Sequence, residues 1–216
     1  MEKRSEQLLK AIVELYIADA RPIGSSALAD TFEVSPATIR NAMMALETEG
    51  YIYQPHTSAG RIPTIQGYKY YLDNLLSVTD CSEKEKTELQ TAYNKDVREL
   101  AKLLVEKTNL ASIIAFAPSD LYFTGLFNLF SQPEFEDYKM VLSMSQVVDS
   151  LEKAINNIYH KIDKPQVLLG EDNPFSADCS VIIAPLAHDN KQLLAILGPI
   201  RMDYNKILGL FEAIVK

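Results

Sequence analysis

The chain has 216 residues, of which 47% are hydrophobic and 23% charged, values typical of a globular protein with one large or two small domains. It carries 21 Lys and Arg against 29 Asp and Glu. The resulting net charge of −8 argues against nonspecific nucleic-acid binding through the whole surface.

Cysteine content and hydropathy indicate where the protein works. Cys81 and Cys179 have no paired spacing, which favours a reducing compartment over a disulfide scaffold. The N-terminus is charged and shows no signal peptide. The longest apolar runs, Leu110–Ala117 and Val181–Ala187, are too short to span a bilayer. We therefore expect a cytoplasmic protein without a membrane partner.

The first fifty residues show the pattern of a helix-turn-helix unit. Residues 4–19 carry apolar side chains on one helical stripe, and a short helix is predicted over Ala27–Phe32. Ser35 suits an N-cap and Pro36 the first position of the next helix, which ends before Gly50. Two helices joined by about three or four residues, the second of them capped, indicate this motif.

The helix that begins at Pro36 has an outward face suited to the DNA major groove. Its apolar stripe consists of Ile39, Ala42, Met43 and Leu46, which we expect to face the core. On the opposite side, Arg can pair with guanine, Asn with adenine, and Met or Ala can touch a thymine methyl. An ordinary solvated helix face is the alternative. The candidate DNA-binding residues here are Ser35, Ala37, Thr38, Arg40, Asn41 and Met44.

A polar hairpin follows this helix and favours the DNA-binding interpretation. Tyr51–Tyr53 is extended, and the loop 54–61 contains Gly60, which allows a turn. Short hydroxyl donors and a cation suit phosphate or minor-groove contact. His56 is ambiguous, because a lone histidine in a loop more often packs against its neighbours or is solvated than binds a ligand. The candidate DNA contacts of this loop are His56, Thr57, Ser58 and Arg61.

The charge of this region limits how it can bind DNA. Residues 1–79 hold 7 Lys and Arg against 9 Asp and Glu, a net charge of −2. Binding must therefore depend on the local placement of Arg40, Arg61, Lys69 and helix N-termini, not on a basic field. Residues 64–76 return to a helix whose tyrosines we expect to pack against the first helix or a partner subunit.

The second half of the chain has a mixed pattern. Ser82 and Glu85 form a capping box and predict one long helix to about Lys107, whose apolar seam packs on the following domain or on a second copy. Strands are predicted at 110–117, 121–124, 167–169, 179–186 and 193–197, and helices within 134–162 and 203–215. The link 187–191 suits a hairpin. The predicted class is α+β.

Catalysis has little support in the sequence. His56, His160 and His188 lie in three separate segments, and the chain has no nucleophile elbow, P-loop, dinucleotide fingerprint or metal-binding helix. Asp178 beside Cys179 is the nearest thing to a catalytic pair, and it is read more simply as the polar start of a buried strand. We expect a protein that is not an enzyme and has no cofactor or metal.

Two long strings in the first half resemble a known family. Residues 35–41 (SPATIRN) and 54–63 (QPHTSAGRIP) are similar to the heat-inducible transcription repressors called HrcA, and 67–71 (GYKYY) follow at the family's spacing. This resemblance implies a winged-helix repressor that binds an inverted-repeat operator upstream of chaperone genes. It also implies a homodimer and the chaperonin as a further partner.

The second half resembles the same family in three segments: 126–135, 178–180 and 198–204. In the family these belong to a GAF-like domain with an inserted dimerising segment. Family members are longer, and the shortfall falls near Pro118–Asp120, so this chain is a shortened form without that segment. The expected organisation is a winged-helix domain over 1–79, a linker helix over 80–109 and a GAF-like regulatory and dimerisation domain over 110–216.

Two functions from different classes remain. The first is a sequence-specific repressor of the HrcA type. The second is a winged-helix module for protein contacts without a specific DNA target, for which the acidic surface is the supporting feature.

Overall fold

In a computed structural model, which describes residues 1–186 and 192–215, the chain divides into the units Met1–Ser77 and Val78–Lys216. The elements of the first unit are α1 (Lys3–Asp19), α2 (Ser25–Ala29), α3 (Pro36–Thr48), β1 (Ile52–Tyr53), β2 (Ile62–Pro63) and α4 (Ile65–Tyr70), which continues as a π-helical turn over Tyr71–Leu75. Strands β1 and β2 pair antiparallel and flank the predicted loop. This order of helices followed by a small hairpin is the predicted winged helix.

The helix-turn-helix pair differs from the prediction in its first helix. Helix α2 begins at Ser25 and ends at Ala29, so the predicted range 27–32 was wrong at both ends. After Ala29 the chain continues in hydrogen-bonded turns, in which the Phe32 N–H donates to Leu28 and the Val34 N–H to Ala29, and it changes direction at Glu33, which has a φ of 51°. Helix α3 begins as predicted, with the Ser35 hydroxyl accepting a hydrogen bond from the Thr38 N–H at 3.1 Å.

The tyrosines of α4 tie it to α1. The side chains of Tyr68 and Tyr71 are each only 2% exposed. The Tyr70 hydroxyl donates to Glu6 at 2.7 Å, and this hydrogen bond raises the pKa of Tyr70 to about 12. The predicted packing of the tyrosines on the first helix is confirmed.

The second unit is built on a five-stranded antiparallel sheet of order β4-β3-β7-β6-β5. Its strands are β3 (Ala111–Ala117), β4 (Asp120–Thr124), β5 (Gln166–Leu169), β6 (Cys179–Leu186) and β7 (Gln192–Pro199). Strands β6 and β7 pair in register from Cys179 opposite Pro199 to Leu186 opposite Gln192. The predicted hairpin link 187–191 lies outside the described residues.

Helices cover this sheet on both faces. They are α5 (Glu83–Lys95), α6 (Val97–Thr108), α7 (Leu126–Phe130), α8 (Tyr138–Asp149), α9 (Leu151–Ile158) and α10 (Tyr204–Val215). Ile113 and Val181 share one core with Val147 and Ile155 of α8 and α9, whereas α6 and α10 contact β3 and β6. A sheet buried on both faces explains why β6 and β7 are almost continuously apolar. The predicted α+β class is confirmed.

The long helix predicted over 82–107 is two helices, so that prediction was wrong. Asp96 adopts an extended backbone, with φ −166° and ψ 133°, and its carboxylate accepts from the Arg98 N–H at 2.8 Å as the N-cap of α6. The chain folds back there: the Lys107 ammonium donates a hydrogen bond to the Glu88 carboxylate at 2.8 Å. In one straight helix these residues would be about 28 Å apart. Among the described residues, no helix has the length and apolar character needed to cross a membrane.

The close approach of α4 to Tyr51 gives a stability prediction. A Cβ at Gly67 would lie 2.1 Å from the Tyr51 carbonyl oxygen. Gly67→Ala should therefore destabilise the first unit by about 1–3 kcal/mol, even though alanine favours a helix over glycine by about 1 kcal/mol. Chemical denaturation of the full chain measures this. Gly24→Ala is the control, because nothing lies within 4 Å of its Cβ; equal stability of the two variants would contradict the packing described here.

Candidate nucleic-acid interface

The outward face of α3 is held in place by the core on its opposite side. Ile39, Met43 and Leu46 are between 1% and 3% exposed and fix the rotation of the helix. Met44 is 54% exposed, which is unusual for a large apolar side chain and suits contact with a thymine methyl. The predicted site residues Ala37, Thr38, Arg40 and Asn41 are also exposed.

The first turn of α3 uses two predicted site residues for capping. The Ser35 hydroxyl lies 2.9 Å from that of Thr38 and also accepts from the Thr38 backbone. Both residues are exposed. Their first role in the fold is therefore to begin the helix, and any contact with DNA is additional to it.

The loop between β1 and β2, which we call the wing, covers residues 54–61. His56, Thr57 and Ser58 are exposed at its tip. Gln54 crosses the loop and donates to the carbonyl oxygens of Thr57 and Ala59, each at 2.9 Å. Sequence reasoning missed Gln54, since its only signal was a long amide side chain at the start of a short loop.

Arg61 lies at the base of the wing and not at its tip. Its Nε donates to Glu47 of α3 at 2.9 Å, and its side chain is only 15% exposed. Its backbone N–H and carbonyl bond to Ile23 at 2.8 and 2.9 Å. The phosphate contact that the sequence suggested for Arg61 stays a prediction. The ion pair was not predicted, because Glu47 is 14 positions away and no spacing rule relates the two residues.

A cleft of about 480 Å³ lies between α3 and the wing, and we call it the α3–wing cleft. It is lined by Ile23, Gly24, Ser25, Ser26, Arg40, Met43, Gln54, Thr57, Ser58, Ala59, Gly60 and Arg61. Four predicted site residues therefore meet there: Arg40, Thr57, Ser58 and Arg61. The remaining predicted residues, Ser35, Ala37, Thr38, Asn41, Met44 and His56, lie outside it.

The charge of this cleft differs from that of the unit as a whole. Within the described part of the chain, its lining contains two arginines and no Asp or Glu. Glu47 pairs with Arg61, whereas Arg40 forms no ion pair with a described residue. A locally positive, hydroxyl-rich cleft can accept an anionic backbone despite the net charge of −2 over residues 1–79.

The Asp178–Cys179 pair has the properties of a structural element. The Cys179 thiol is buried, and burial raises its pKa to about 12. Its sulfur accepts from the Asn173 amide at 3.3 Å, while Asp178 accepts from Ser143 at 3.2 Å. A reactive cysteine needs a lowered pKa, so this environment opposes nucleophilic chemistry and fits the polar start of a buried strand.

Comparison with protein families gives two matches that together span most of the chain. Residues 2–74 match the model described as "Winged helix-turn-helix transcription repressor, HrcA DNA-binding". Residues 63–208 match the model described as "HrcA protein C terminal domain".

Curated relatives carry the same name. A heat-inducible transcription repressor HrcA of Desulfitobacterium hafniense is 26% identical over 327 aligned positions, covering 98% of this chain and 95% of that protein. Since 98% of 216 residues is about 212, about 115 of those positions have no residue in this chain. A second HrcA, of Desulforamulus reducens, is 47% identical over 106 residues, which cover 48% of this chain and 30% of that protein.

The fold of the whole chain has a counterpart among solved structures. A crystal structure described only as that of a hypothetical protein superposes with a TM-score of 0.75, at 18% identity, over 100% of this chain and 95% of that one. This similarity concerns the fold alone. It covers both units of the chain described above.

The contact between α3 and the wing base gives a second prediction. Removing Glu47 or Arg61 should lower the free energy of unfolding, and the double variant Glu47→Ala/Arg61→Ala should lose less than the sum of the two single variants. Because the pair is partly shielded from water, we expect a coupling of about 1 kcal/mol. Urea denaturation of the four proteins measures it. Strict additivity would mean that the ion pair does not hold the wing to α3.

Proposed function

The chain belongs to the HrcA family of heat-inducible transcription repressors, and we propose that it represses heat-shock genes by binding a duplex operator through α3 and the wing. The observation that carries this proposal is the α3–wing cleft, which is lined by Arg40 of α3 and by Thr57 and Ser58 of the wing. A helix face and a hairpin that share one cleft can contact the base edges and the adjoining backbone of a single duplex.

The exposed face of α3 supplies the base contacts in this proposal. Arg40 and Asn41 carry the side chains that form two hydrogen bonds with guanine and adenine, respectively. The exposed Met44, together with Ala37, would touch thymine methyl groups. Ser35 and Thr38, at the start of the helix, would contact the backbone where the helix enters the major groove.

The wing supplies backbone contacts. Thr57 and Ser58 carry hydroxyl donors for phosphate oxygens, and His56 at the exposed tip is a further donor. Arg61 has a different role in the proposal: it holds the wing base through Glu47, and its effect on DNA is largely indirect.

Two copies of the chain are needed if the operator is an inverted repeat. Two-fold symmetric half-sites, about 34 Å or a multiple of it apart, match a dimer with one α3 for each half. The second unit would provide the contact between copies and the regulatory function of a GAF-like domain. The chaperonin as a partner and the cytoplasmic location also stay predictions.

A binding function is proposed in preference to catalysis. The family is one of transcription repressors, and the Asp178–Cys179 environment supports no activated nucleophile. The alternative of a winged-helix module for protein contacts has no support from the comparisons. It predicts that the chain prefers no duplex over another.

Selection of bound duplexes from a random library tests the proposal. The expected result is one inverted-repeat sequence, bound more tightly than random DNA of equal length and released as salt rises. Recovery of random sequences only, with equal affinity for all, would contradict it and favour the protein-contact alternative.

Substitution of Arg40 tests whether this residue recognises a base, as the proposal requires. Arg40→Ala should weaken the selected duplex by about 1–3 kcal/mol and have a smaller effect on random DNA, because a base contact is lost. Arg4→Ala, an exposed arginine on α1, is the matched control for the change in charge. Fluorescence anisotropy with both duplexes measures the difference. An equal loss on both for Arg40→Ala would remove its role in base recognition.

The dimer is tested in solution. Light scattering of the full chain at micromolar concentration should give twice the chain mass of 24.2 kDa. The selected duplex should bind two copies with one complete inverted repeat. A monomer both free and on the full repeat would contradict the dimer, while leaving recognition of a half-site by one α3 intact.

A further inference from the structure

The wing is held in place at its base and at its tip, and the tip depends on Gln54. We infer that Gln54 is a positioning residue that fixes the wing tip so that the Thr57 and Ser58 hydroxyls face the α3–wing cleft. This inference rests on the proposed function and extends it to a residue that makes no DNA contact in that proposal.

The geometry at Gln54 uses its full donor capacity. Its carboxamide nitrogen carries two hydrogens, and both are donated, to the carbonyl oxygens of Thr57 and Ala59 at 2.9 Å each. Since both partners are acceptors, only the nitrogen of the amide can face them. Between these two carbonyls, the Ala59 N–H donates to the His56 carbonyl at 2.8 Å. Gln54 therefore holds the turn 56–59 through two of its carbonyl groups.

The base of the wing is fixed by other contacts. A Cβ at Gly60 would lie 2.4 Å from the Ile23 backbone, so glycine is needed for the close approach of the two segments. Arg61 adds the backbone bridge to Ile23 and the ion pair with Glu47. None of these contacts involves residues 55–59.

The tip depends on Gln54 more than the base does. In the described part of the chain, the side-chain hydrogen bonds to residues 55–60 both come from Gln54. Loss of these bonds should free the tip while the base and the rest of the unit stay folded. A tip that must be ordered on binding adds an entropic cost, so its preorganisation strengthens the complex.

Substitution of Gln54 tests the inference with the selected duplex and a random duplex as probes. Gln54→Ala removes both N–H donors and introduces no charge. The near-isosteric Gln54→Glu replaces the donors with the acceptor oxygens of a carboxylate. Each should bind the selected duplex about tenfold more weakly. Gln7→Glu is the matched control for charge, because Gln7 is exposed on α1 and outside the cleft. Its affinity should stay within about twofold of the unchanged chain.

A double-variant cycle separates positioning from a general loss of stability. In the His56→Ala/Thr57→Ala/Ser58→Ala background the side-chain donors of the wing tip are absent, so Gln54→Ala should have almost no further effect on affinity. A purely structural role of Gln54 would reduce affinity by the same factor in both backgrounds, which would overturn the inference.

Hydrogen exchange gives a readout that needs no DNA. The Ala59 amide should exchange faster in Gln54→Ala and Gln54→Glu, while the Arg61 amide, bonded to Ile23, keeps its protection. Unchanged exchange at Ala59 would overturn the inference, whatever the affinity. If the unchanged chain preferred no duplex, the proposed function would fail, and exchange at Ala59 would still decide whether Gln54 orders the tip.

Discussion

The attachment of the wing base to the recognition helix is the constraint on which the rest of the site depends. Arg61 joins α3 through Glu47 and joins the segment before α2 through the backbone of Ile23. Helix α3 is itself fixed by its buried apolar side. The helix face and the wing therefore keep one relative position, and the cleft between them has a defined shape before any ligand arrives.

This arrangement explains how an acidic chain can belong to a family of DNA-binding repressors. The net charge of −8 offers no long-range attraction to a polyanion, and one of the two cleft arginines is neutralised by Glu47. Recognition must then rely on placed donors and on shape more than on a basic field. A small number of phosphate contacts also implies a modest salt dependence for each copy of the chain.

The sequence predicted those elements whose signals are local. Ser35-Pro36 and Gly50 bound α3 correctly, and the strands of the second unit follow from short apolar segments. It did not predict the break at Asp96, because the apolar seam continues across it and only the capping preference of aspartate marks the change of direction. The strings shared with a known family located the DNA-binding unit without revealing how it is held together.

The site was predicted only in part, because only some of its features have local signals in the sequence. The exposed residues of α3 follow from helical periodicity, and their exposure is confirmed. The roles of Glu47, Ile23 and Gln54 depend on contacts that form only when the chain folds, so periodicity and spacing carry no sign of them. Arg61 is an example: its charge suggested a phosphate contact, but nothing in the sequence predicted that Glu47 would be its partner within the fold.

The central claim is that α3 and the wing form one DNA-binding surface. Hydrogen exchange of the full chain, measured by mass spectrometry with and without the selected duplex, tests it most directly. The account predicts slower exchange on binding in peptides covering residues 35–44 and 54–61 together, with little change in the second unit beyond a contact between copies. Protection of only one of these segments, or of α1 and α4 instead, would contradict it.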